Sequence, residues 1–227
     1  MPTFDYAAVP GVAECTLDET TLADLPANDA PAPWDVELSG VVWWGRGGRR
    51  ARAATGRPAH DRARAVAVIG GIVSYSRTPV GPYHEVYGAV GLRRGRQVVG
   101  TIPFMSVDSP RSLVGGRGNW SLPKCPAEFT GEPTGDRTLS ARGAGWLVRV
   151  TVRPFGPRFP LAMKGTIEQP WPDGVLRRSE LDGKARARLA LVHVEVESEG
   201  ELAGWLRPGR HLGAVLSPSS LTLSEAR

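Results

Sequence analysis

The sequence has few cysteines, few lysines and no long apolar run. Its two cysteines, Cys15 and Cys125, are too few for a disulfide framework. No stretch approaches the roughly 18 consecutive apolar residues that a membrane-spanning helix requires. The N-terminus also lacks the basic segment followed by an apolar one that marks a secretory signal. These absences predict a cytoplasmic protein with no membrane partner.

Several common catalytic motifs are missing as well. The four histidines show no HExxH or CxxC spacing, so a zinc site has little support. The glycines around Arg117 lack the strand, glycine and helix order of a phosphate loop or a dinucleotide-binding motif. There is no G-x-S-x-G nucleophile elbow. Any chemistry must therefore use other groups.

Basic residues outnumber acidic ones, but their distribution argues against nucleic-acid binding. The net charge is +5, yet residues 1–37 hold eight acidic residues and no Lys or Arg. Seven arginines fall between Arg46 and Arg64. This basic segment has no interleaved aromatic residues of the kind that stack on bases, so a solvated loop explains it better. We therefore expect no nucleic-acid partner. Binding of nucleic acid through this segment would depend steeply on salt concentration.

The apolar patterns predict a mainly antiparallel β protein of the α+β class, closing into a barrel or two packed sheets. The length of 227 residues suggests one domain with an appendage. Residues 1–33 are acidic and rich in Ala and Pro, which predicts an extended arm with one helical turn near Thr20–Leu25 and little contribution to the core. Residues 34–227 are predicted to form a single domain.

Local patterns place the elements of that domain. The segment Arg46–Arg64 is predicted to be a loop, Gly70-Gly71 a bulge, and Asp108–Gly118 a helix of about two turns that glycines end. Strands are predicted at Leu38–Trp44, Ala65–Ser74, Glu85–Leu92, Gln97–Met105, Trp146–Val152, Leu189–Glu197 and within Gly213–Leu223.

Lysine is rare enough to be informative. Only three of the 28 basic residues are lysine, and Lys124 lies between Pro123 and Pro126 among weakly polar neighbours. Removal of water would lower the pKa of its amine from about 10.4, and a neutral amine can attack a carbonyl, which arginine cannot do. A lysine that extends from a turn into solvent explains the same residues. Both interpretations stay open from the residues alone.

A second feature is a turn that delivers a carboxylate to the start of a strand. The segment Gly81-Pro82-Tyr83-His84-Glu85 places Glu85 there. A carboxylate in this position is usually solvated. Beside an amine it is also able to accept, donate or position a proton.

Four short motifs together resemble the acetoacetate decarboxylase family. They are Tyr83-x-Glu85, the apolar run Phe104–Asp108, Gly116-Arg117 and Pro123-Lys124, in that order and across about a fifth of the chain. The resemblance implies a β-barrel or cone with a few short helices. It also implies that Lys124 forms a Schiff base and that Glu85 is the acidic group beside it. It further implies that the protein uses no metal or organic cofactor and assembles as a homo-oligomer.

The resemblance also implies candidates for contact with substrate. Arg117 is one, through pairing with a substrate carboxylate, although a structural pairing with a backbone carbonyl is an alternative. The remaining candidates are residues of the pocket wall, for each of which core packing is the alternative: Tyr83, Met105, Trp120 and Phe104.

Three departures from the family separate the chain from its decarboxylases. Cys125 occupies the place of a second lysine that follows the first. The stretch Val68–Ile72 lacks a further Glu, and residues 1–37 lack an Arg expected before the first strand. The family's lysine is a known example of activation by desolvation or by a neighbouring cation. Here only desolvation, or a cation from elsewhere, would activate Lys124.

The sequence therefore predicts a carbon–carbon lyase that forms a Schiff base with a small keto acid or related carbonyl compound. Decarboxylation of a β-keto acid is the first expectation, with aldolase or dehydratase chemistry as variants and acetoacetate itself uncertain as the substrate. The alternative is a non-catalytic small-molecule-binding protein that retains the fold.

Overall fold

The computed structural model describes residues 4–58 and 60–227, and its main feature is one ten-stranded sheet. All pairings among these residues are antiparallel except β4 with β5 and β4 with β8. The predicted fold class is therefore confirmed. The strands are β1 (Trp34–Arg46), β2 (Arg64–Arg77), β3 (Tyr83–Arg94), β4 (Gln97–Val107), β5 (Lys124–Pro126), β6 (Glu128–Thr130), β7 (Thr138–Gly143), β8 (Trp146–Pro170), β9 (Leu176–Ser198) and β10 (Gly209–Leu223).

The sheet closes on itself where β4 meets β8. Its strand order is β5-β4-β3-β2-β1-β10-β9-β8-β7-β6, and a bridge between Gly100 and Ile167 adds the β4–β8 contact. Beside that bridge, the side-chain amide of Gln169 accepts a hydrogen bond from the N–H of Ile102 at 2.7 Å and donates one to its carbonyl at 3.0 Å. Gln169 thus supplies the pair of bonds that a neighbouring strand would otherwise make, and the strands from β4 round to β8 form a cone-like ring.

The main hydrophobic cluster combines many aliphatic side chains with a few large aromatic ones. Trp43 and Trp205 are among the largest fully buried residues. A Cβ at Gly70 would lie 2.2 Å from the ring of Trp43, so a glycine is needed for this close approach. The bulge predicted at Gly70-Gly71 is wrong, because both residues pair regularly with β1 and β3. The irregularities of β2 lie at Ala65/Ala67 against β3 and at Tyr75/Arg77 against β1.

Within residues 4–58 and 60–227, four short α-helices accompany the sheet: α1 (Glu19–Ala23), α2 (Arg49–Ala54), α3 (Pro110–Trp120) and α4 (Leu202–Leu206). The turn expected near Thr20–Leu25 is present as α1, whereas the segment predicted to be an arginine-rich loop contains α2. Helix α3 begins where predicted, with Ser109 as its N-cap, but continues past the glycines to Trp120. In the described part of the chain, no helix has the length and apolar character to cross a membrane.

The N-terminal arm is docked onto the cone. Cys15, Leu17 and Ala30 belong to the main hydrophobic cluster, and the N–H of Val12 donates to the carbonyl of Pro103 on β4 at 2.9 Å. The expectation that residues 1–33 contribute little to the core is therefore wrong. The apolar residues of this proline-rich segment show neither helical nor strand periodicity in the sequence, so their burial could not be predicted. Several of them are nevertheless buried one by one against the cone.

Candidate active site

Two neighbouring strands bring Lys124 and Glu85 together. Lys124 begins β5 and is in register with Met105 on β4, while Glu85 on β3 is in register with Val107. Residues 105 and 107 share one face of β4, so both charged side chains project to that face. Lys124 Nζ lies 2.8 Å from Glu85 Oε2, and each side chain is only 3% exposed. The structure thus places a buried ion pair at the two positions that the sequence singled out.

Two hydroxyl groups complete the surroundings of the amine. Lys124 Nζ donates to Ser112 Oγ at 2.9 Å and lies 3.4 Å from the phenol oxygen of Tyr83. Ser112 lies in the first turn of α3, where its N–H donates to the N-cap oxygen of Ser109. The helix start therefore positions the hydroxyl that faces the amine.

Aromatic residues enclose the pair. The phenol of Tyr75 donates to Glu85 Oε1 at 3.0 Å, and its ring stacks on Tyr83 with centroids 4.5 Å apart. Lys124 Nζ lies 5.0 Å from the ring centroid of Tyr83 and 5.9 Å from that of Trp34. Both distances are within the range of cation–π contacts. The site is thus a compact cluster of one amine, one carboxylate, hydroxyls and rings.

The protonation of Lys124 differs from the sequence expectation. Burial acts to lower the pKa of this amine, but the Glu85 carboxylate and the Tyr83 hydroxyl outweigh it, so the pKa of Lys124 is raised. Burial also raises the pKa of Tyr83 to about 12, although Lys124 acts in the opposite direction. The expectation of a depressed lysine pKa is therefore wrong for the resting site, which holds a protonated amine.

Two glycines of α3 make room for the site. A Cβ at Gly116 would lie 2.5 Å from Lys124 Cδ, and one at Gly115 would lie 2.5 Å from the ring of Trp34. Glycine costs up to about 1 kcal/mol inside a helix relative to alanine. The Gly-Gly pair thus lies where the lysine stem and the tryptophan ring contact the helix, and it leaves the space that they occupy.

The side chain of Arg117 is bound to backbone carbonyls and is not available to a substrate carboxylate. Its three side-chain nitrogens donate to the carbonyls of Lys124, Tyr6 and Cys15, each at 2.6 Å, and the residue is buried. The structural alternative considered for this arginine is the one that the contacts favour. Arg117 ties the strand of Lys124 to the N-terminal arm.

Of the candidates for the pocket wall, some lie on the same face of the sheet as Lys124 and others do not. Met105 lies beside Lys124 in register. Phe104, one residue earlier, projects to the opposite face and packs edge-to-face on Trp146 at 5.0 Å, so its expected place in the wall is corrected. Trp120 donates to the carbonyl of Ser224 and contacts Trp34 at 5.1 Å, one layer behind the amine.

Sequence reasoning missed Ser112, Tyr75 and Trp34. The motif residues could be matched by their order, whereas these three reach the site from α3, β2 and β1 only through tertiary packing. A signal existed for Tyr75, because Tyr75 and Tyr83 flank a short segment with two prolines and a glycine, and the two residues pair across the strands β2 and β3. In the described residues, no group of three or more His, Cys, Asp and Glu side chains is arranged to hold a metal ion.

Comparison with known proteins gives a sequence match over the middle of the chain. The family model "Acetoacetate decarboxylase (ADC)" matches residues 62–164, a span that includes Glu85, Arg117 and Lys124. No curated protein matches the chain by sequence.

Solved structures show the same fold at low identity. Acetoacetate decarboxylase from Legionella pneumophila has a TM-score of 0.61 and 15% identity, with 89% of each chain covered. Another structure of an acetoacetate decarboxylase has a TM-score of 0.57 and 13% identity, covering 93% of this chain and 97% of that one. The enduracididine biosynthesis enzyme MppR, complexed with pyruvate, has a TM-score of 0.56 and 16% identity, covering 88% and 91%. The chain thus matches the acetoacetate decarboxylase family model over residues 62–164 and shares its fold with solved structures of that enzyme and of MppR.

Proposed function

We propose that the chain is a lyase that forms a Schiff base between Lys124 and a small keto acid or related carbonyl compound. The observation that carries the proposal is the buried contact of 2.8 Å between Lys124 Nζ and Glu85 Oε2. A solvated lysine is protonated at neutral pH and reacts slowly. A buried lysine with a carboxylate in contact has a proton acceptor within reach at the moment of attack.

The first step moves a proton from the Lys124 ammonium to Glu85. The freed lone pair then attacks the carbonyl carbon, and one proton passes from the attacking nitrogen to the carbonyl oxygen, which gives a neutral carbinolamine. Glu85 returns its proton to the departing hydroxyl, which leaves as water, and an iminium remains on Lys124. Ser112, at 2.9 Å from the amine, accepts a hydrogen bond throughout and holds the nitrogen in place.

Decarboxylation of a β-keto acid follows from the iminium. The electron pair of the bond to the carboxylate moves toward the iminium nitrogen, CO₂ leaves, and an enamine forms. A proton adds to the enamine carbon, and water then releases the ketone and the amine. Retro-aldol cleavage or dehydration would use the same iminium. That MppR with the same fold has been solved with pyruvate, and with a condensation product of pyruvate and imidazole 4-carboxaldehyde, supports including these variants.

The tyrosines have distinct proposed roles. Tyr75 donates to the Glu85 oxygen that does not contact Lys124 and so fixes the orientation of the carboxylate. Tyr83 contributes a hydroxyl and a ring face to the amine, and Met105 a part of the apolar wall. Because the guanidinium of Arg117 is directed to backbone carbonyls, a substrate carboxylate would face hydroxyls and apolar groups, an environment that favours its loss as uncharged CO₂.

We also propose that the protein works in the cytoplasm without a cofactor and assembles as a homo-oligomer. Light scattering coupled to gel filtration tests the assembly directly. A monomeric mass at micromolar concentration would contradict that part of the proposal and would leave the chemistry unaffected.

Trapping with borohydride tests the chemistry. Incubation with acetoacetate, pyruvate or a simple aldehyde, followed by reduction, is expected to fix substrate mass on Lys124. Lys124→Arg keeps the positive charge but cannot supply a free amine, so trapping should vanish. Lys184→Arg, a change at an exposed lysine, is the matched control and should trap as the unmodified chain does.

Two results would contradict the proposal that the chain is an enzyme. One is the absence of any adduct at Lys124 across the panel. The other is equal labelling of Lys124 and Lys184, which would mean general amine reactivity. If the panel nevertheless raised the thermal midpoint of the chain, the non-catalytic binding protein would become the better account.

A further inference from the structure

The only two cysteines of the chain lie against each other beneath the reactive lysine. Cys15 ends a 3-10 turn of the N-terminal arm, and Cys125 follows Lys124 on β5. Both thiols lie 3.6 Å from the same carbonyl oxygen, that of Met105, and each residue is 3% exposed. Both are free thiols. Residues 110 positions apart in sequence thus form a buried dithiol.

The surroundings of the two sulfurs are unequal. Cys125 Sγ also contacts Ser106 Oγ at 2.9 Å and the carbonyl of Glu14 at 3.4 Å. The hydrogen bond from Cys15, then that from Ser106 and the charge of Arg117, lower the pKa of Cys125, whereas burial raises the pKa of Cys15. This asymmetry resembles that of an attacking thiol paired with a resolving thiol.

We propose that Cys15 and Cys125 are an oxidisable dithiol that a peroxide converts into a disulfide, tying the N-terminal arm to the strand that bears Lys124. The proposal rests on the two buried sulfurs lying at the same distance from one carbonyl oxygen, that of Met105, and is independent of the reaction proposed for Lys124. The position next to the lysine, where the family's decarboxylases carry a second lysine, is here given to a thiol whose partner is supplied by the arm.

The oxidation balances in two steps. The sulfur of Cys125 attacks one oxygen of the peroxide, the O–O bond breaks, and a sulfenic acid and one water form. The sulfur of Cys15 then attacks the sulfenic sulfur, the S–O bond breaks, and the hydroxyl leaves as a second water with the thiol proton. Two thiols lose two electrons in total, and one hydrogen peroxide is reduced to two waters.

The disulfide would reinforce a connection that Arg117 already makes. The guanidinium donates both to the carbonyl of Cys15 and to that of Lys124. A covalent bond between the sulfurs would close a loop of about 110 residues, and long loops give disulfides their largest effect on the unfolded chain. We expect the midpoint of thermal unfolding to rise by roughly 5 °C or more on oxidation.

Mass spectrometry of the native protein tests the proposal. Treatment with hydrogen peroxide, followed by alkylation of remaining thiols, is expected to lower the intact mass by about 2 Da with no thiol left to alkylate. Digestion with trypsin should then give one cross-linked species that joins residues 1–46 to residues 125–137. Dithiothreitol should separate the two peptides and return the thermal midpoint to its starting value.

Two variants serve as controls, each first shown to be folded by circular dichroism. Cys15→Ala removes the resolving thiol and should leave a sulfenic acid on Cys125 that dimedone labels. Cys125→Ala should show neither the label nor the cross-link. The proposal is overturned if the unmodified chain and Cys15→Ala are oxidised to the same sulfinic product on Cys125. It is equally overturned if the native thiols stay reduced, or if the only disulfide joins two chains.

Discussion

At the scale of single residues, one carboxylate determines the protonation of Lys124. Glu85 is the partner that raises the pKa of the amine against the effect of burial. In Glu85→Gln the burial that lowers the pKa of Lys124 remains and the carboxylate that raises it is gone, so the pKa of the amine should fall. The rate of acetylation of Lys124 by acetic anhydride, measured against pH, should accordingly have its midpoint at lower pH.

An exposed ion pair provides the control for this experiment. Lys164 Nζ lies 3.1 Å from Asp182 Oδ2, with both side chains largely in solvent. Asp182→Asn should leave the acetylation profile of Lys164 almost unchanged, because water screens such pairs. A profile of Lys124 that does not move in Glu85→Gln would show that the carboxylate has no influence on the amine.

The raised pKa of Lys124 makes the free energy of unfolding depend on pH. Because the pKa of Lys124 in the folded chain lies above its ordinary value of 10.5, the pair stabilises the native state below that pH. The contribution is lost as the pH rises through the folded pKa.

The close contact between Gly116 and Lys124 leads to a second prediction for a single residue. Alanine is the better helix former by about 1 kcal/mol, yet its Cβ would lie 2.5 Å from Lys124 Cδ. Gly116→Ala should therefore displace the amine from Glu85 and lower the rate of borohydride trapping by about tenfold or more, the size of effect that small misplacements of a reacting group produce. Gly135→Ala, where a Cβ meets open space, should trap at the original rate. Equal rates would mean that the lysine stem moves aside without loss.

The sequence could predict the residues of the site that belong to ordered motifs. Lys124 and Glu85 were identified through short segments whose order along the chain is fixed. Ser112 and Trp34 were not, because their approach depends on how α3 and β1 pack against β5. The raised pKa of Lys124 likewise depends on a distance of 2.8 Å that no sequence spacing specifies.

At the scale of elements, the closure of the sheet rests on the side chain of Gln169. Its amide satisfies both backbone groups of Ile102 and also donates to the carbonyl of Ser121 at 3.3 Å. Gln169→Ala would leave the buried N–H and C=O of Ile102 without partners. Each such group costs about 1–3 kcal/mol, so the free energy of unfolding in urea should fall by about 2–5 kcal/mol.

Gln97 offers the matched control, since it is exposed at the turn between β3 and β4. Gln97→Ala should change the free energy of unfolding by less than about 0.5 kcal/mol. If Gln169→Ala were as mild, water would have to replace the amide, and the role of Gln169 in closure would be lost.

The strands and helices differ in how well the sequence pattern predicts them. The hairpin of β3 and β4 has strong alternation and a glycine turn, and it was predicted within a few residues. Helix α2 carries three arginines and one buried alanine, so no apolar period marks it. Helix α3 runs through glycines that would ordinarily end it, because Lys124 and Trp34 fill the space beside them.

At the scale of the whole molecule, the N-terminal arm and the cone form one folded unit around Arg117. The guanidinium is buried, and two of its three backbone acceptors, Tyr6 and Cys15, belong to the arm. A buried cation without acceptors is costly. The arm is therefore a source of stability for the cone and not only a covering segment.

Removal of residues 1–17 tests this coupling. The truncated chain should lose the burial of Val9, Cys15 and Leu17 together with both arm acceptors of Arg117, a cost on the order of 5 kcal/mol in the free energy of unfolding. Arg117→Met, made in the full chain and in the truncated chain, completes a double-mutant cycle. Because the truncated chain already holds an undersatisfied guanidinium, the substitution should be less harmful there, with a coupling of about 1–3 kcal/mol. Additive effects would mean that the arm stabilises the cone through apolar burial alone, and an unchanged urea midpoint after truncation would mean that it does not stabilise the cone at all.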